Sequence, residues 1–442
     1  MRFIKLISII VALSMLISAC LSEDAVIPKV TAVPTEASVE MVSDPPTTEV
    51  VPPVDTSTAT ATDQATSTPT TEETGDKPVK AIILFIGDGM GQVHRMGAQW
   101  LAVGQDELLA MDNLPVKGMM GTASANKAVT DSAASATAMA TGVKTKNQVL
   151  GMSPDYVPVE TILEQAQARG WATGLITTVP MAHATPAAFA VHISYRYRYS
   201  DIAKQMMNAG VDVLLGGGED DFLPYGTPGC YPNTGHRGDK LNLIEQAIGE
   251  GYTHVCTGED LLGLDTSTTS KLVGFFGDDE MDIPFNPTLA DMTRVAIEVL
   301  SQNPNGLFLM VEGGQIDWEA EDNLGLGTMQ LTVGLNAAVT MAQVYALGEP
   351  NTLIIVTADH ETGGMSLNLD CEGSYRQDGP FYMPDGTEFC VDWETGGHTG
   401  VDVPVTAQGP WSWMLFGEYP NTWIYRVMHA ALTGQGFGGA GP

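Results

Sequence analysis

The chain has 442 residues and a net charge of −33, with 20 lysines and arginines against 53 acids. So few cations exclude a nucleic-acid binder, whose affinity rests on basic stripes that neutralise phosphates. The length suffices for one large α/β domain, and the acidity suits a soluble, exported body without bearing on its fold.

The first residues read as a targeting segment. "MRFIK" is a short basic start, "LISIIVALSMLI" an apolar run, and Ser18 and Ala19 precede Cys20. Residues 1–19 are expected to be a signal peptide, too short and wrongly flanked for a permanent membrane span. A cysteine straight after "ISA" resembles the lipobox of bacterial lipoproteins, which implies cleavage before Cys20 and a lipid on its sulfur. An ordinary signal peptide with an incidental cysteine is the alternative. Residues 21–78 are rich in Thr, Pro, Ser and acids and lack aromatic residues, so they cannot offset chain entropy by burial. With Cys20 they form an expected disordered tether (20–78), placing the folded part outside the cytoplasm and on a membrane through the lipid alone. Residues 435–442 are expected to be a flexible, glycine-rich tail.

Between these ends, residues 79–434 are expected to form one catalytic domain. In chain order, "KAIILFIGDG", "GWATGLITT", "VDVLLGGG", "LVGFFG", "GLFLMVEGG" and "TLIIVTADH" are continuous apolar runs, the pattern of strands buried on both faces. Helical segments fall between them: "VETILEQAQARG", "DIAKQMMNAG", "LADMTRVAIEVLSQ" and "TMQLTVGLNAAVTMAQVYALG". The alternation predicts an α/β doubly wound sandwich, a large mostly parallel sheet with helices on both faces. Four cysteines follow Cys20, and the pairings Cys230–Cys256 and Cys371–Cys390 close the shortest loops. Structural zinc is the poorer reading, because no spacing is C-x-x-C.

Most expected strands end in glycine plus acid, and open α/β sheets bind ligands beyond the carboxyl ends of their strands. Asp88 sits between glycines in "FIGDGMG". In "VTDSAASATAMATG" (129–142), Asp131 and Ser132 precede a run of small residues. A serine at a helix N-terminus lies where backbone N–H groups favour an anion, although either residue would equally serve as a plain N-cap. No G-x-S-x-G elbow accompanies it, which disfavours a Ser-His-Asp hydrolase. "MAHATPAAFAVHISYR" places His183 before an expected cap at Thr185, Pro186 in the first turn and Arg196 near the helix end. "YRYRYS" (195–200) stands as the chain's basic-aromatic run. "VEGGQIDWEAED" (311–322) concentrates Glu312, Asp317, Glu319, Glu321 and Asp322 after a buried strand, which demands either water or a cation. "TADH" and "GGHTG" add Asp359, His360 and His398.

Together, "GDGMG", "DSAASATA", "EGGQID", "TADH" and "GHTG", in that order, resemble the alkaline phosphatase family, of the secreted bacterial zinc type, across residues 80–433. The resemblance implies hydrolysis of small phosphate monoesters through a phosphoserine, with two zinc ions and one magnesium. It makes Ser132 the nucleophile and Arg196 the grip on substrate phosphate beside Asp131. Asp88, Asp359 and His360 match the ligands of the zinc that activates Ser132. Asp317 and His398 match those of the zinc on the leaving-group side, while Glu312 and Thr185 match the magnesium site that Asp88 bridges. Family members are often homodimers. Residues 361–397 are the expected lid or crown insertion.

Two positions depart from the pattern. Where the family has a third histidine on the leaving-group zinc, this chain has Glu321. A carboxylate also binds zinc, so a retained ion is the primary reading, with Glu319 or Asp322 as rival ligands and a disabled, non-catalytic binding protein as the alternative. His183 stands where some members have a magnesium-binding aspartate, and it comes with Trp318. That pairing implies weaker occupancy or another divalent ion there, with both residues behind the ligands. A phosphodiesterase or sulfatase of the same superfamily is the other enzymatic alternative, although Ser132 lacks the sulfatase setting.

Overall fold

The computed structural model describes residues 78–371, 373 and 375–436. The expected signal peptide, Cys20, all of the tether but Pro78 and the tail beyond residue 436 lie outside the described residues.

Among the described residues, fifteen strands follow in chain order. The first eight are β1 (Ala81–Gly87), β2 (Val116–Gly121), β3 (Ala172–Pro180), β4 (Val213–Gly217), β5 (Thr253–Val255), β6 (Leu272–Phe275), β7 (Leu307–Gly313) and β8 (Thr352–Ala358). After them come β9 (Glu361–Thr362), β10 (Ser366–Asn368), β11 (Gln377–Tyr382), β12 (Glu388–Asp392), β13 (His398–Thr399), β14 (Val403–Gln408) and β15 (Gly417–Pro420). Ten form one sheet in the order β15-β2-β14-β8-β1-β7-β3-β4-β6-β5. Every adjacent pair is parallel except those that β14 makes with β8 and β2. This is the α/β architecture that the run-and-helix alternation predicts. All six predicted strands are there, as β1, β3, β4, β6, β7 and β8, and so are the four predicted helices.

The register places the site. Gly87 of β1 pairs with Gly313 of β7 on one side and with Ala358 of β8 on the other. The three central strands therefore end level. Asp88 and Asp359 leave them at the same height, and Glu312 stands one residue before the end of β7. All three strands are fully buried, so the sheet's rim is a rigid base for those side chains.

The helix Ser132–Thr141 is buried along its whole length and packs against the helix Ala184–Ala190. Alanine, serine and threonine make that approach sterically open. Asp131 is the N-cap, its carboxylate accepting from the Ala134 N–H, and Ser132 is the first helical residue. The second helix differs from expectation. His183, not Thr185, holds its N-cap position, and it ends at Ala190. Arg196 is therefore in a turn before the next helix, Tyr199–Asn208, rather than near a helix end.

Within residues 361–397, β10, β12 and β11 form a separate antiparallel sheet. Disulfides join Cys371 to Cys390 and Cys230 to Cys256, the two expected pairings.

Candidate active site

The rim at the ends of β1, β7 and β8 collects nearly every residue that the motifs single out. Asp88, Asp359 and His360 bring ligand atoms within 4.8 Å of one another. Asp317, His360 and His398 form a second such group, and Asp88, His183 and Glu312 a third. His360 belongs to two of them, and its ring stacks on His398 with centroids 3.6 Å apart.

Ser132 Oγ faces this cluster from the start of its helix. It lies 3.5 Å from His360 Nε2 and 3.5 Å from Arg196 Nη1. Arg196 is buried, and its guanidinium is held by Asp131 Oδ2 at 3.4 Å and by His183 Nε2 at 3.0 Å. His183 in turn meets Trp318 edge-on at 5.8 Å. Gln148 ties the same corner together: its N–H donates to Asp131 Oδ2 at 2.9 Å and its carbonyl accepts from the Arg196 N–H at 2.9 Å.

The short helix Gln315–Glu321 carries Asp317 and Glu321 one turn apart on one face. Asp317 Oδ1 is 3.7 Å from His398 Nε2, and Glu321 Oε1 is 3.6 Å from the same nitrogen. Glu321 thus has its carboxylate turned to the cluster. Glu319 points elsewhere, toward Gly327.

Several groups that sequence reasoning missed fix this arrangement. The Thr362 hydroxyl donates to Asp317 Oδ1, and the Thr177 hydroxyl donates to Glu312 Oε2 at 2.5 Å. His398 Nδ1 donates to the Thr130 carbonyl at 3.0 Å, which turns Nε2 toward the site. Ser135 Oγ donates to the Asp359 carbonyl at 2.8 Å. The sequence signals for these are that Thr362 lies two residues after "TADH" and that Thr130 and Ser135 lie in "VTDSAAS"; Thr177 depends on tertiary contacts.

Asp88, Glu312 and Asp359 are all but fully buried. Burial, then the charges of Asp359, Asp317 and Glu312, push the Asp88 carboxyl well above the usual carboxylate range. Burial likewise pushes Glu312 up to about 7. Asp317 goes the other way: burial works against its charge, but pairing with His398 and His360 outweighs that and holds it below the usual range. Burial opposes the charge on His398 too, yet Asp317 raises that imidazole to about 9. Burial, then Arg196, lowers His183 to about 3, so its neutral ring accepts from the guanidinium.

This donor set fits divalent ions. Glu312 Oε1 is buried with no hydrogen-bond partner, and Asp88 Oδ1 and Asp359 Oδ2, equally buried, have only His360 Nε2 near them, at 3.4 and 3.3 Å. Buried carboxylate oxygens without donors are costly unless a cation takes them. Mixed imidazole and carboxylate donors suit zinc, and oxygen donors such as Asp88, Thr185 and Glu312 suit magnesium. A further group, Cys230, His254 and Cys256, lies apart, and its two cysteines are bonded to each other.

Fold and rim together are those of an α/β protein with clustered metal-type donors, and comparison with known proteins gives the family. Residues 79–378 match the alkaline phosphatase family model. Alkaline phosphatase 3 of Bacillus subtilis is 31% identical over 430 residues, spanning 80% of this chain and 89% of that one. Streptomycin-6-phosphate phosphatase of Streptomyces griseus is 33% identical, spanning 82% of this chain and 92% of its own. The solved alkaline phosphatase of the Antarctic bacterium TAB5 is 29% identical with a TM-score of 0.70, covering 81% of this chain and 100% of that one. A mutant of that enzyme, with aspartate in place of a histidine, was solved with Mg bound in its M3 site. The chain belongs to the alkaline phosphatase family, and it is a phosphatase that acts on phosphate esters.

Proposed function

We propose that the enzyme hydrolyses phosphate monoesters to alcohol and inorganic phosphate through a phosphoserine at Ser132. The observation that carries this reading is the placement of Ser132 Oγ at 3.5 Å from both Arg196 and His360, at the head of a buried helix. Arg196 presents a fork of donors to the phosphoryl oxygens, a geometry suited to bidentate recognition. The helix N-terminus adds backbone N–H groups and its dipole to the same anion. Ser132 Oγ gives up its proton to solvent and attacks phosphorus, the bond from phosphorus to the ester oxygen breaks, and that oxygen takes a proton from solvent and leaves as the alcohol. Water then cleaves the phosphoserine, which restores the hydroxyl and releases phosphate.

Asp88, Asp359 and His360 would hold the zinc beside Ser132. Asp317, Glu321 and His398 would hold the second zinc, and Asp88, Glu312 and Thr185 the magnesium, with His183 behind Arg196. Bound there, the ions supply Lewis-acid charge that favours ionised serine, ionised water and the departing oxygen. His398 is kept in the required tautomer by the Thr130 carbonyl, and Asp317 is oriented by Thr362.

We further propose export, which the two disulfides support, since such bonds persist in oxidising compartments. Residues 79–434 are the catalytic domain in this reading, with 361–397 as its small insertion.

Rapid acid quench during turnover, followed by peptide mass spectrometry, tests the reaction. Phosphate is expected on the peptide carrying Ser132. A quenched, actively turning-over enzyme with no phosphate on that peptide, or with phosphate on a different residue, would overturn the covalent route.

A further inference from the structure

Residues 195–200, "YRYRYS", leave an unusual surface beside the nucleophile. The two arginines part company. Arg196 turns inward and is buried against Ser132 and Asp131, while Arg198 is exposed and pairs with Asp201 at 2.6 Å. The tyrosines between them line up outside. Tyr195 and Tyr197 are 45% and 49% exposed, large apolar surfaces that folding alone leaves unexplained. They nonetheless form an ordered array: Tyr195 meets Tyr197 edge-on at 5.3 Å, and Tyr197 meets the half-buried Tyr199 edge-on at 6.2 Å. Tyr199 packs on the core and anchors the row. The Tyr197 ring lies 5.5 Å from Arg196 Cζ, the group that we propose grips phosphate.

We propose that Tyr195 and Tyr197 form a stacking platform that selects phosphate monoesters of planar, aromatic-bearing alcohols, nucleoside monophosphates among them. The inference rests on the phosphatase reading above and names its substrate class. The chain of contacts from Ser132 Oγ through Arg196 to the Tyr197 ring sets an upper span of about 10 Å, by ordinary bond lengths, which a sugar linking a phosphate to a base bridges. Tyrosine faces accept any base or aryl ring, because stacking reads the π-surface and not the hydrogen-bonding edge. Two exposed rings in a fixed relation lose little conformational freedom on binding, since each has few torsions to freeze.

The test compares kcat/KM of the full chain for adenosine monophosphate and for glycerol phosphate, which offers no ring. It uses the native chain, the Tyr195→Ser/Tyr197→Ser double variant and Tyr197→Phe. The native chain is expected to favour the nucleotide. The double serine variant should lower that preference about tenfold, the size of one base-on-ring contact, mainly through KM. Tyr197→Phe should keep the preference, and free adenosine should inhibit the native chain but not the double variant. A preference unchanged by the serine substitutions overturns the platform and leaves the phosphatase reading intact. Equal losses on both esters overturn it as well, because they mark a structural role. Failure of the unaltered chain to turn over either ester counts against the phosphatase reading alone. Calorimetric titration with adenosine monophosphate then decides the platform: binding that the serine variant abolishes supports it, and binding unaffected by the variant overturns it. A change of oligomeric state in the serine variant without a change of preference assigns the tyrosines to self-association and overturns the proposal.

Discussion

Arg196 is held from three directions before any substrate arrives: by Asp131, by His183 Nε2 and, through its backbone, by the Gln148 carbonyl. That preorganisation lowers the entropy cost of gripping phosphate. Replacing Arg196 with alanine should therefore raise KM and the inhibition constant for phosphate about tenfold to a hundredfold, the scale of hydrogen bonds to a charged group. Steady-state kinetics with phosphate as inhibitor check this, and unchanged constants would contradict the role. Glu321 sets a second residue-scale expectation. Its carboxylate adds negative charge beside Asp317. Glu321→His should tighten zinc binding on the order of tenfold, the scale on which changes around a metal site act. It should also strengthen inhibition by phosphate. Zinc titration calorimetry on the stripped protein reads the first effect. If neither value moves, Glu321 lies outside the ion's reach.

The elements show what patterning reveals and what it hides. The six strands read from the sequence are those buried on both faces, where continuous apolar runs leave little ambiguity. The strands missed are of other kinds. β2 reads "VKGMMG" and is half-buried, and β5 has three residues. β14 and β15 lie outside the central parallel strands and carry prolines. Their place is set by pairing with distant strands, which no local period encodes. At the site, strand-end acids and histidines were legible because glycines mark where the chain turns. Thr177 and Gln148 were not, because they act through contacts across the fold. Helix placement failed at both ends of one helix: its N-cap is His183 and not Thr185, and "TPAAFAVHISYR" reads as one helix to Arg196, yet it stops at Ala190. The chain turns extended at its C-cap, Val191. The serine helix yields an element-scale prediction. Ala136 is fully buried within it, so Ala136→Leu should destabilise the fold by about 1–3 kcal/mol through overpacking. Denaturant unfolding measures that, and an unchanged midpoint would mean the packing is looser than described.

At the scale of the whole molecule, stability and chemistry draw on the same cluster. Asp88, Glu312 and Asp359 are buried together at the ends of the central strands, so removing cations should leave uncompensated repulsion in the core of the sheet's rim. Chelation is expected to lower the melting temperature, and zinc with magnesium to restore it, as binding linkage requires. A melting temperature indifferent to chelation, in protein shown to have lost its metals, would contradict the assignment of these carboxylates. Away from the site, His192 Nε2 pairs with Glu164 Oε1 at 3.0 Å and joins the helix Ile162–Ala168 to the loop before Arg196. The pairing with Glu164 raises the His192 imidazole, with burial opposing. A raised histidine stabilises below its unfolded pKa, and that contribution fades as pH rises through the folded value. The stability gap between the native chain and His192→Gln should accordingly be full in mildly acidic solution and shrink as pH rises into the alkaline range, and a gap that grows there would contradict the pairing.

The central claim is that Ser132 and the carboxylate–imidazole rim make one metal-dependent phosphomonoesterase. Hydrolysis of p-nitrophenyl phosphate at alkaline pH, after stripping metals and then restoring zinc and magnesium, tests it most directly, with Ser132→Ala as control. The account predicts turnover that vanishes on stripping, returns with the ions and is absent from the control. Turnover that survives stripping, turnover that persists in Ser132→Ala, or a folded, metal-loaded native chain without turnover would each contradict it.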